Sequence, residues 1–359
     1  MKCLLLILIL SFSIAESGMA ASSDSLKYVN GDGFELIGKG FSDTQSRYER
    51  LPASLEARTR PDVWTLSKNC SGLALRFHTD SRIIAAKWEV TGNVTMNHFA
   101  PSGIKGLDLY CLNKGKWEFV NSARPTAKTS TAIIIDHMDK TDREYMLYLP
   151  LYDGLVNLEL GVESSATIGS PQIDSPQKDK PVVFYGTSIT QGGCASRAGM
   201  AYPNQLSRML DRQIINLAFS GNGQLDLEIA EAMAEIDASC YVIDCLPNVS
   251  TAQMNEKYIR FLDIIREKKP TVPILLLENI DYPFMYFDQT VFSSIQEKNV
   301  LLKKIYSGQK KGDSHIYYLK ADQLIGDDGE GTVDGVHLTD LGFIRMSQSL
   351  YPVIRKLIR

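Results

Sequence analysis

The chain has 359 residues, of which 44% are hydrophobic and 22% charged, an ordinary composition for a globular protein. This length exceeds what one hydrophobic core usually serves, so we expect two domains. The net charge is −4, and lysine and arginine are scattered rather than clustered. Nucleic acids and anionic membrane surfaces require a basic patch, so both are excluded as expected partners.

Residues 1–20 have the three-part pattern of a secretory signal peptide. Lys2 precedes an apolar run over residues 4–10, and small residues follow up to Ala20. The apolar run is too short to span a bilayer. We predict cleavage near Ala20, no insertion into a membrane, and a periplasmic or secreted mature protein.

The cysteines of the mature chain are odd in number and include no Cys-x-x-Cys pair, the usual motif of zinc and dithiol sites. They are Cys70, Cys111, Cys194, Cys240 and Cys245. Whether two of these cysteines form a disulfide is left open. Buried free thiols are the favoured interpretation, because unpaired cysteine is often simply buried.

Short strands and tight turns fill residues 73–162, within a predicted first domain of residues 21–162. The predicted strands are 75–79, 82–90, 107–112, 116–120, 145–149 and 155–160, and Lys114-Gly115 and Asp153-Gly154 supply hairpin turns. No long helical periodicity separates them, so we predict an antiparallel, jelly-roll-like β-sandwich domain. We expect its tryptophans, Trp64, Trp88 and Trp117, in the core rather than as sugar-binding platforms.

A stretch rich in Ser, Pro, Gly and Lys over residues 163–180 is predicted as a linker. Beyond it, over residues 181–359, apolar strands alternate with helical patterns. The strands are predicted at 182–185, 214–219, 241–246, 274–277 and 316–319. Continuous apolar runs of this kind indicate a parallel sheet covered by helices on both faces, and hence an α/β domain.

Polar segments follow the predicted strands of this second domain. Ser188 comes after the first strand, Gly221 after the second and Asn248 after the third, while Asp334 and His337 precede the last helix. Reactive groups gather at the carboxyl ends of parallel strands, so we expect these segments to meet in one site. A serine needs a base to take its proton and a third group to orient that base. Ser188, His337 and Asp334 are suited to those roles.

Each of these segments has a plainer interpretation when it is taken alone. Ser188 in Gly-Thr-Ser is typical of a helix cap or a phosphate-binding turn, and Gly221 of an ordinary turn. Asn248 is typical of a loop, and Asp334-x-x-His337 of a helix cap or a metal ligand pair. Their joint occurrence, in order and at strand ends, favours a hydrolase.

These blocks resemble those of the SGNH, or GDSL-type, hydrolases. The resemblance implies a three-layer α/β/α, flavodoxin-like domain with esterase or acylhydrolase activity and no metal or organic cofactor. It further implies Ser188 as nucleophile, His337 as base, Asp334 as the triad acid, and an oxyanion hole made by the Ser188 and Gly221 amides and the Asn248 side chain. The first block reads Gly-Thr-Ser rather than Gly-Asp-Ser, so the acidic residue that usually precedes the serine is absent.

The segment Gly106-Leu107-Asp108-Leu109-Tyr110 resembles the Gly-x-Asp-Leu-Tyr signature of a sandwich module fused before SGNH esterase domains. That subgroup implies a secreted carbohydrate esterase removing short acyl groups, acetyl above all, from a small-molecule or oligosaccharide ester. Two alternatives stay open. One is a lipase or phospholipid acylhydrolase. The sequence has no exposed amphipathic stretch that would bind a lipid surface, which argues against this alternative. The other is a catalytically inactive carbohydrate-binding protein.

Three further residues are predicted to contact substrate, and each has a structural alternative. His98 lies in a loop of the sandwich and is otherwise a structural loop residue. Arg197 follows the nucleophile block and otherwise braces its loop. Tyr282, in the aromatic segment 281–287, otherwise packs against the other domain. The oligomeric state is left open.

Overall fold

The computed structural model describes residues 26–322 and 324–359, so the predicted signal peptide lies outside the described residues. Within this range, antiparallel strands dominate as far as residue 169. They are β1 Leu26–Asn30, β2 Glu35–Ile37, β3 Ala74–Thr79, β4 Ile84–Val90, β5 Leu107–Asn113, β6 Lys116–Ala123, β7 Thr129–Ile135, β8 Arg143–Tyr148, β9 Leu155–Glu163 and β10 Ile168–Gly169. Two short helices, α1 Pro61–Ser67 and α2 Pro101–Lys105, connect them.

These strands form two facing sheets. One has the order β1-β9-β4-β7, and the other has the order β10-β3-β8-β5-β6 with β2 paired to β3. Alternate side chains such as Phe77, Trp88 and Leu160 point between the sheets and are buried there. The predicted antiparallel sandwich is thus confirmed. Trp88 lies in its core as expected, whereas Trp64 and Trp117 are half-buried beneath cationic side chains.

Strands β1, β2, β7 and β10 were not predicted from the sequence. Edge strand β7 reads Thr-Ser-Thr-Ala-Ile-Ile-Ile and exposes Ile133, so it lacks the apolar alternation that marks a half-buried strand. Segment 163–180, predicted as a linker, contains β10, which pairs with β3, and the first residues of the following strand. The division of the chain at this segment stays a prediction.

A parallel sheet forms the second half. Its strands are β11 Gln177–Gly186, β12 Arg212–Ala218, β13 Cys240–Asp244, β14 Ile274–Leu277 and β15 Ile316–Leu319. The helices are α3 Ser188–Gln191, α4 Tyr202–Leu210, α5 Leu227–Glu235, α6 Thr251–Lys268, α7 Gln289–Gln309 and α8 Asp340–Leu357. The order β12-β11-β13-β14-β15 is the 2-1-3-4-5 order of flavodoxin-like folds, which confirms the expected class.

Side chains of each parallel strand alternate between two helical layers. Val182 and Phe184 pack in the cluster that includes α4 and α8. Val183 and Tyr185 pack in the cluster that includes α5, α6 and α7. The domain therefore has three layers, and β11 lies between β12 and β13 in the middle layer. None of the helices in the described part of the chain is long and apolar enough to cross a bilayer.

The sandwich and the parallel-sheet domain share one hydrophobic cluster. It joins Tyr110 and Tyr152 of the sandwich to Ile189 and Tyr202 of the second domain. Arg50 reinforces this contact, since its buried guanidinium donates to the carbonyls at residues 216 and 218 at the carboxyl end of β12, at 2.9 and 2.8 Å. The sandwich is thus packed directly against the sheet edge where the polar segments converge.

Candidate active site

Ser188 is the first residue of α3 and follows β11 directly. Thr187 caps this short helix, because its side-chain oxygen accepts from the Ile189 amide at 3.3 Å. Thr187 therefore supplies the capping oxygen at the position directly before Ser188. Gly186 is required by space, since a Cβ there would lie 2.1 Å from the Thr190 hydroxyl. This turn places the Ser188 side chain at the carboxyl end of β11.

The structure brings Ser188, His337 and Asp334 together. His337 Nε2 lies 2.9 Å from Ser188 Oγ, and His337 Nδ1 lies 2.8 Å from Asp334 Oδ2. Asp334 Oδ1 also accepts from the amides of Val336 and His337. Burial alone would raise the pKa of Asp334, but the hydrogen bonds from His337 and these amides hold it at about 2. The ionised Asp334 keeps the proton of His337 on Nδ1 and leaves Nε2 able to accept the serine proton.

The backbone around Asp334 and His337 depends on Gly335. Its φ of +92° lies in the left-handed region, and a Cβ there would lie 2.8 Å from the Phe284 ring. Glycine therefore allows the tight turn that lets both side chains point the same way. The aromatic ring of Phe284 covers the outer side of this turn.

The two further oxyanion candidates approach the same edge. Gly221 has a φ of +69° and lies in the exposed turn after β12. Asn248 lies in the turn after β13, where its side-chain oxygen accepts from the Gly223 amide at 3.2 Å. This bond uses the carbonyl of Asn248 and leaves its NH₂ group available as a donor. Gly223 packs so close to β11 that a Cβ would lie 2.4 Å from the Gly186 oxygen.

Arg60, from the sandwich side, holds the turn that contains Gly221 and Asn222. The sequence did not indicate this residue. Its guanidinium donates to the Asn222 side-chain oxygen at 2.7 Å and to the Asn222 carbonyl at 3.0 Å. It also forms a two-point ion pair with Asp226 at 2.6 and 2.9 Å. These contacts join residues separated by more than 160 positions, so no local sequence pattern indicated them.

His98, predicted to contact substrate, lies beside Asp334 and His337. Its Nε2 is 3.9 Å from Asp334 Oδ2, and its ring centre is 5.7 Å from that of His337. The neighbouring Phe99 is buried with its edge against Tyr152, whose hydroxyl donates to the Ser188 carbonyl at 3.0 Å. The sandwich thus contributes a side chain to the edge of the site.

A cleft of about 360 Å³ opens beside Gly221. Residues Leu66, Val94 and Met96 of the sandwich line one side, and Ser220 and Asn222 line the other. The cleft is therefore formed jointly by the two halves of the chain. It offers space for the acyl or alcohol part of an ester near the turn that contains Gly221.

Arg197 is placed differently from the other candidates. Its Nη1 donates to Asp108 Oδ2 at 2.7 Å, and its guanidinium lies 3.7 Å from the centre of the Phe119 ring. Asp108 is fully buried and also accepts from the Gly199 amide at 2.8 Å and the Ser122 hydroxyl at 2.7 Å. These contacts favour the bracing role for Arg197 over substrate contact. The aspartate of the Gly-x-Asp-Leu-Tyr segment fixes the loop that follows the nucleophile.

Replacing Asp108 by asparagine is expected to lower the free energy of unfolding by about 3 kcal/mol, because a partly buried Arg197 loses its counter-charge. The folded fraction should keep a near-normal kcat at low temperature. Asp139→Asn, which breaks an exposed pair with Arg143, should leave the stability nearly unchanged. Thermal unfolding and ester hydrolysis on the same samples test this. Unchanged stability with abolished turnover would contradict it.

Tyr282 is buried, and its ring stacks on Phe284 at 5.8 Å between centres. Burial raises the pKa of Tyr282 to about 12, so its hydroxyl stays neutral. Other aromatic residues of segment 281–287 are exposed. Tyr286 and Phe287 face solvent, and the exposed fraction of Phe287 is 91%. Tyr282 therefore supports the wall next to the Asp334 turn, while the outer aromatics are free to meet a ligand.

Beneath α3 lies a buried acid, Asp244, at the end of β13. Its Oδ2 accepts from the hydroxyls of Thr190 and Tyr202, both at 2.8 Å. Burial raises the pKa of Asp244 to about 6, and these hydrogen bonds only partly oppose that shift. A raised folded-state pKa means that the native protein binds the proton more tightly than the unfolded chain does.

We expect Asp244 to make the protein less stable as the pH rises. Its contribution is fully present below about pH 4, the pKa in the unfolded chain, and is lost as the pH rises through about 6. The loss amounts to about 3 kcal/mol. Asp244→Asn should remove this dependence, whereas Asp327→Asn, at an exposed position, should not. Denaturant unfolding between pH 4 and pH 8 measures the difference, and parallel curves for wild type and Asp244→Asn would overturn the assignment.

Comparisons with known proteins agree with this arrangement. Residues 179–355 match the model of the GDSL-like lipase/acylhydrolase family, and residues 26–168 match that of the GxDLY domain, the N-terminus of SGNH-hydrolase-type esterases. A crystal structure from Bacteroides ovatus ATCC 8483, described as a GDSL-like lipase, is 36% identical with a TM-score of 0.88, over 93% of this chain and 98% of that one.

More distant structures share the fold. A salicylyl-acyltransferase from a tetracycline biosynthetic pathway is 19% identical with a TM-score of 0.71, over 93% of this chain and 98% of that one. An acetyl xylan esterase from the rumen bacterium Butyrivibrio proteoclasticus is 12% identical with a TM-score of 0.55, over 92% of this chain and 99% of that one. No curated protein matches the sequence significantly.

Proposed function

Because the chain belongs to the GDSL-like lipase/acylhydrolase family, we propose that it is a secreted serine esterase that removes short acyl groups, acetyl above all, from carbohydrates. The observation that carries the proposal is the hydrogen-bonded series Asp334–His337–Ser188, with contacts of 2.8 and 2.9 Å. It is the arrangement that makes a serine hydroxyl nucleophilic near neutral pH.

The reaction begins when Ser188 Oγ attacks the ester carbonyl and its proton passes to His337 Nε2. The amides of Ser188 and Gly221 and the NH₂ group of Asn248 bind the resulting oxyanion. The bond to the alcohol oxygen then breaks, and His337 gives its proton to that oxygen. Water attacks the acyl-enzyme while His337 again takes a proton, and the acid leaves as Ser188 regains its hydrogen. The proposal requires no metal or organic cofactor.

The carbohydrate preference is supported by how the two halves of the chain build the cleft. Its lining includes the polar residues Asp62, Thr65 and Asn69 beside the apolar residues Leu66, Val94 and Met96. His98, beside Asp334, and Ser220, in the cleft, lie where an alcohol with many hydroxyls would find partners. The fold shared with an acetyl xylan esterase supports the same class of substrate.

A lipid acylhydrolase is the second candidate, favoured by one observation. Phe284, Tyr286 and Phe287 are all exposed in the segment that borders the Asp334 turn. Exposed aromatics grouped next to a site often mark a surface for an apolar ligand. On this alternative they would hold a fatty acyl chain.

Acetate release from acetylated xylo-oligosaccharides tests the proposal against hydrolysis of aryl esters with increasing acyl length. The Ser188→Ala protein is the blank. Serine-dependent acetate release, with a steep fall for longer chains, is the expected result. A preference for long chains would establish the lipid alternative, and no release from either substrate would indicate an inactive carbohydrate-binding protein.

A further inference from the structure

Four side chains meet on the outer side of the triad: His98, Cys194, Asp334 and His337. Each offers one ligand atom, and these atoms all lie within 4.8 Å of one another. Cys194 is buried in the turn after α3 and has a φ of +73°, an unusual backbone conformation for a residue with a side chain. The catalytic cycle described above gives Cys194 no role.

A thiolate, two imidazoles and a carboxylate are the ligand set that zinc and cadmium prefer. In a tetrahedral zinc site the ligand atoms lie roughly 3.3–3.6 Å apart, as follows from bonds of about 2.0–2.3 Å. The cluster therefore needs a contraction of about 1 Å. His98, whose side chain is 36% exposed, has the freedom to supply most of it, while Asp334 is held by backbone amides and Cys194 is buried.

We propose that His98, Cys194, Asp334 and His337 form an inhibitory site for a zinc-group divalent cation, Zn²⁺ or Cd²⁺. Binding needs only the cluster, whereas its effect on hydrolysis rests on the function proposed above. The cation is a regulator and not a cofactor. Its ligands come from both the sandwich and the parallel-sheet domain, so it would also tie the two together.

Inhibition follows from the bonds that His337 already makes. Its Nδ1 is engaged by Asp334 and its Nε2 by Ser188, so a cation on either nitrogen breaks one contact of the triad. On Nδ1 it would move the ring proton to Nε2, which then no longer accepts from serine. The Cys194 thiol releases its proton to solvent on binding.

Without the cation, Cys194 is inert. Burial raises the pKa of Cys194 to about 12, and the charge of Asp334 adds to the shift. The thiol therefore stays protonated and does not compete with Ser188 as a nucleophile. Replacing Cys194 should leave metal-free hydrolysis unchanged, which makes it the informative position.

Binding is tested first, and independently of catalysis, by titrating the Ser188→Ala protein with Cd²⁺. The expected result is a thiolate-to-cadmium absorption band in the ultraviolet that saturates at one equivalent. Adding Cys194→Ala should abolish the band. His98→Ala should weaken binding about tenfold or more, since even the loss of an outer partner weakens metal binding by about 10- to 100-fold. Cys111→Ala, at a half-buried cysteine of the sandwich, is the matched control and should keep the band.

Inhibition is tested on active protein with Zn²⁺. The wild type and Cys111→Ala should lose hydrolysis and regain it when a chelator is added. Cys194→Ala should hydrolyse the ester at the wild-type rate and need about tenfold more Zn²⁺ for the same loss. Absence of the Cd²⁺ band, or equal Zn²⁺ sensitivity of wild type and Cys194→Ala, would overturn the proposal. If no variant hydrolyses any ester, the proposed function fails while the band still decides the site.

Discussion

Replacing Ser188 by alanine, or His337 by alanine, is expected to lower kcat by about 10⁶-fold with little change in folding. Ser188 supplies the attacking oxygen, and His337 moves the proton in each step. Either loss therefore removes the covalent route and leaves only the slow contribution of the oxyanion hole. Steady-state hydrolysis of an aryl acetate, with circular dichroism on the same samples, measures both quantities.

The Ser188→Ala/His337→Ala double variant sharpens this test. Residues that act as one unit give non-additive losses, so the double variant should be no slower than either single one. Asp334→Asn should cost about 10⁴-fold, because an amide favours the wrong tautomer of His337. His137→Ala, at a histidine of the sandwich that is 76% exposed, should have normal activity. Near-normal turnover of His337→Ala would rule out the triad assignment.

Removing the Asn248 side chain is expected to lower kcat by about 10²- to 10³-fold and to leave KM nearly unchanged. The Asn248 carbonyl is held by the Gly223 amide, so its NH₂ group is fixed before the negative charge develops. A fixed donor of this kind acts on the transition state more than on the bound ester. Measuring kcat and KM separately with one short-chain ester gives the comparison.

Asn248→Asp distinguishes a donor from a structural residue. Aspartate keeps the oxygen that accepts from the Gly223 amide but puts a negative charge where the oxyanion forms. It should therefore be slower than Asn248→Ala, whereas a purely structural role would make it the milder change. Asn113→Ala, in an exposed hairpin, is the control of the same residue type. Equal kcat for wild type and Asn248→Ala would remove Asn248 from the oxyanion hole.

The strands of the parallel sheet were predictable because both of their faces are buried. Val182 to Tyr185 and Ile274 to Leu277 are continuous apolar runs, and no other element of this length gives such a pattern so directly. Strand β7 was not predictable, because an edge strand needs no alternation of apolar and polar residues. The two-residue β10 has no sequence pattern at all, since it forms only by pairing with β3.

The residues of the site also differ in how far they could be predicted from the sequence. Asp334 and His337 were recognisable because they lie three positions apart and their contact is local. Arg60 and Cys194 gave no such sign, since the contacts that matter join them to residues far along the chain. His98 was predicted to contact substrate from its place in a loop of the sandwich. Its closeness to Asp334 comes from the burial of Phe99 against Tyr152, which no spacing in the sequence reveals.

The buried contacts between the two halves limit how this enzyme can be rebuilt. Arg50 donates to carbonyls of β12, and Asp108 holds Arg197 and Gly199. A hybrid protein could join this sandwich to the parallel-sheet domain of a relative. It would lose the contacts of Arg50 and of Asp108 unless the residues on both sides of each contact were exchanged together. For the protein engineer the unit of exchange is therefore the whole described chain, and altered substrate range is better sought at loop positions such as Met96 and Phe287.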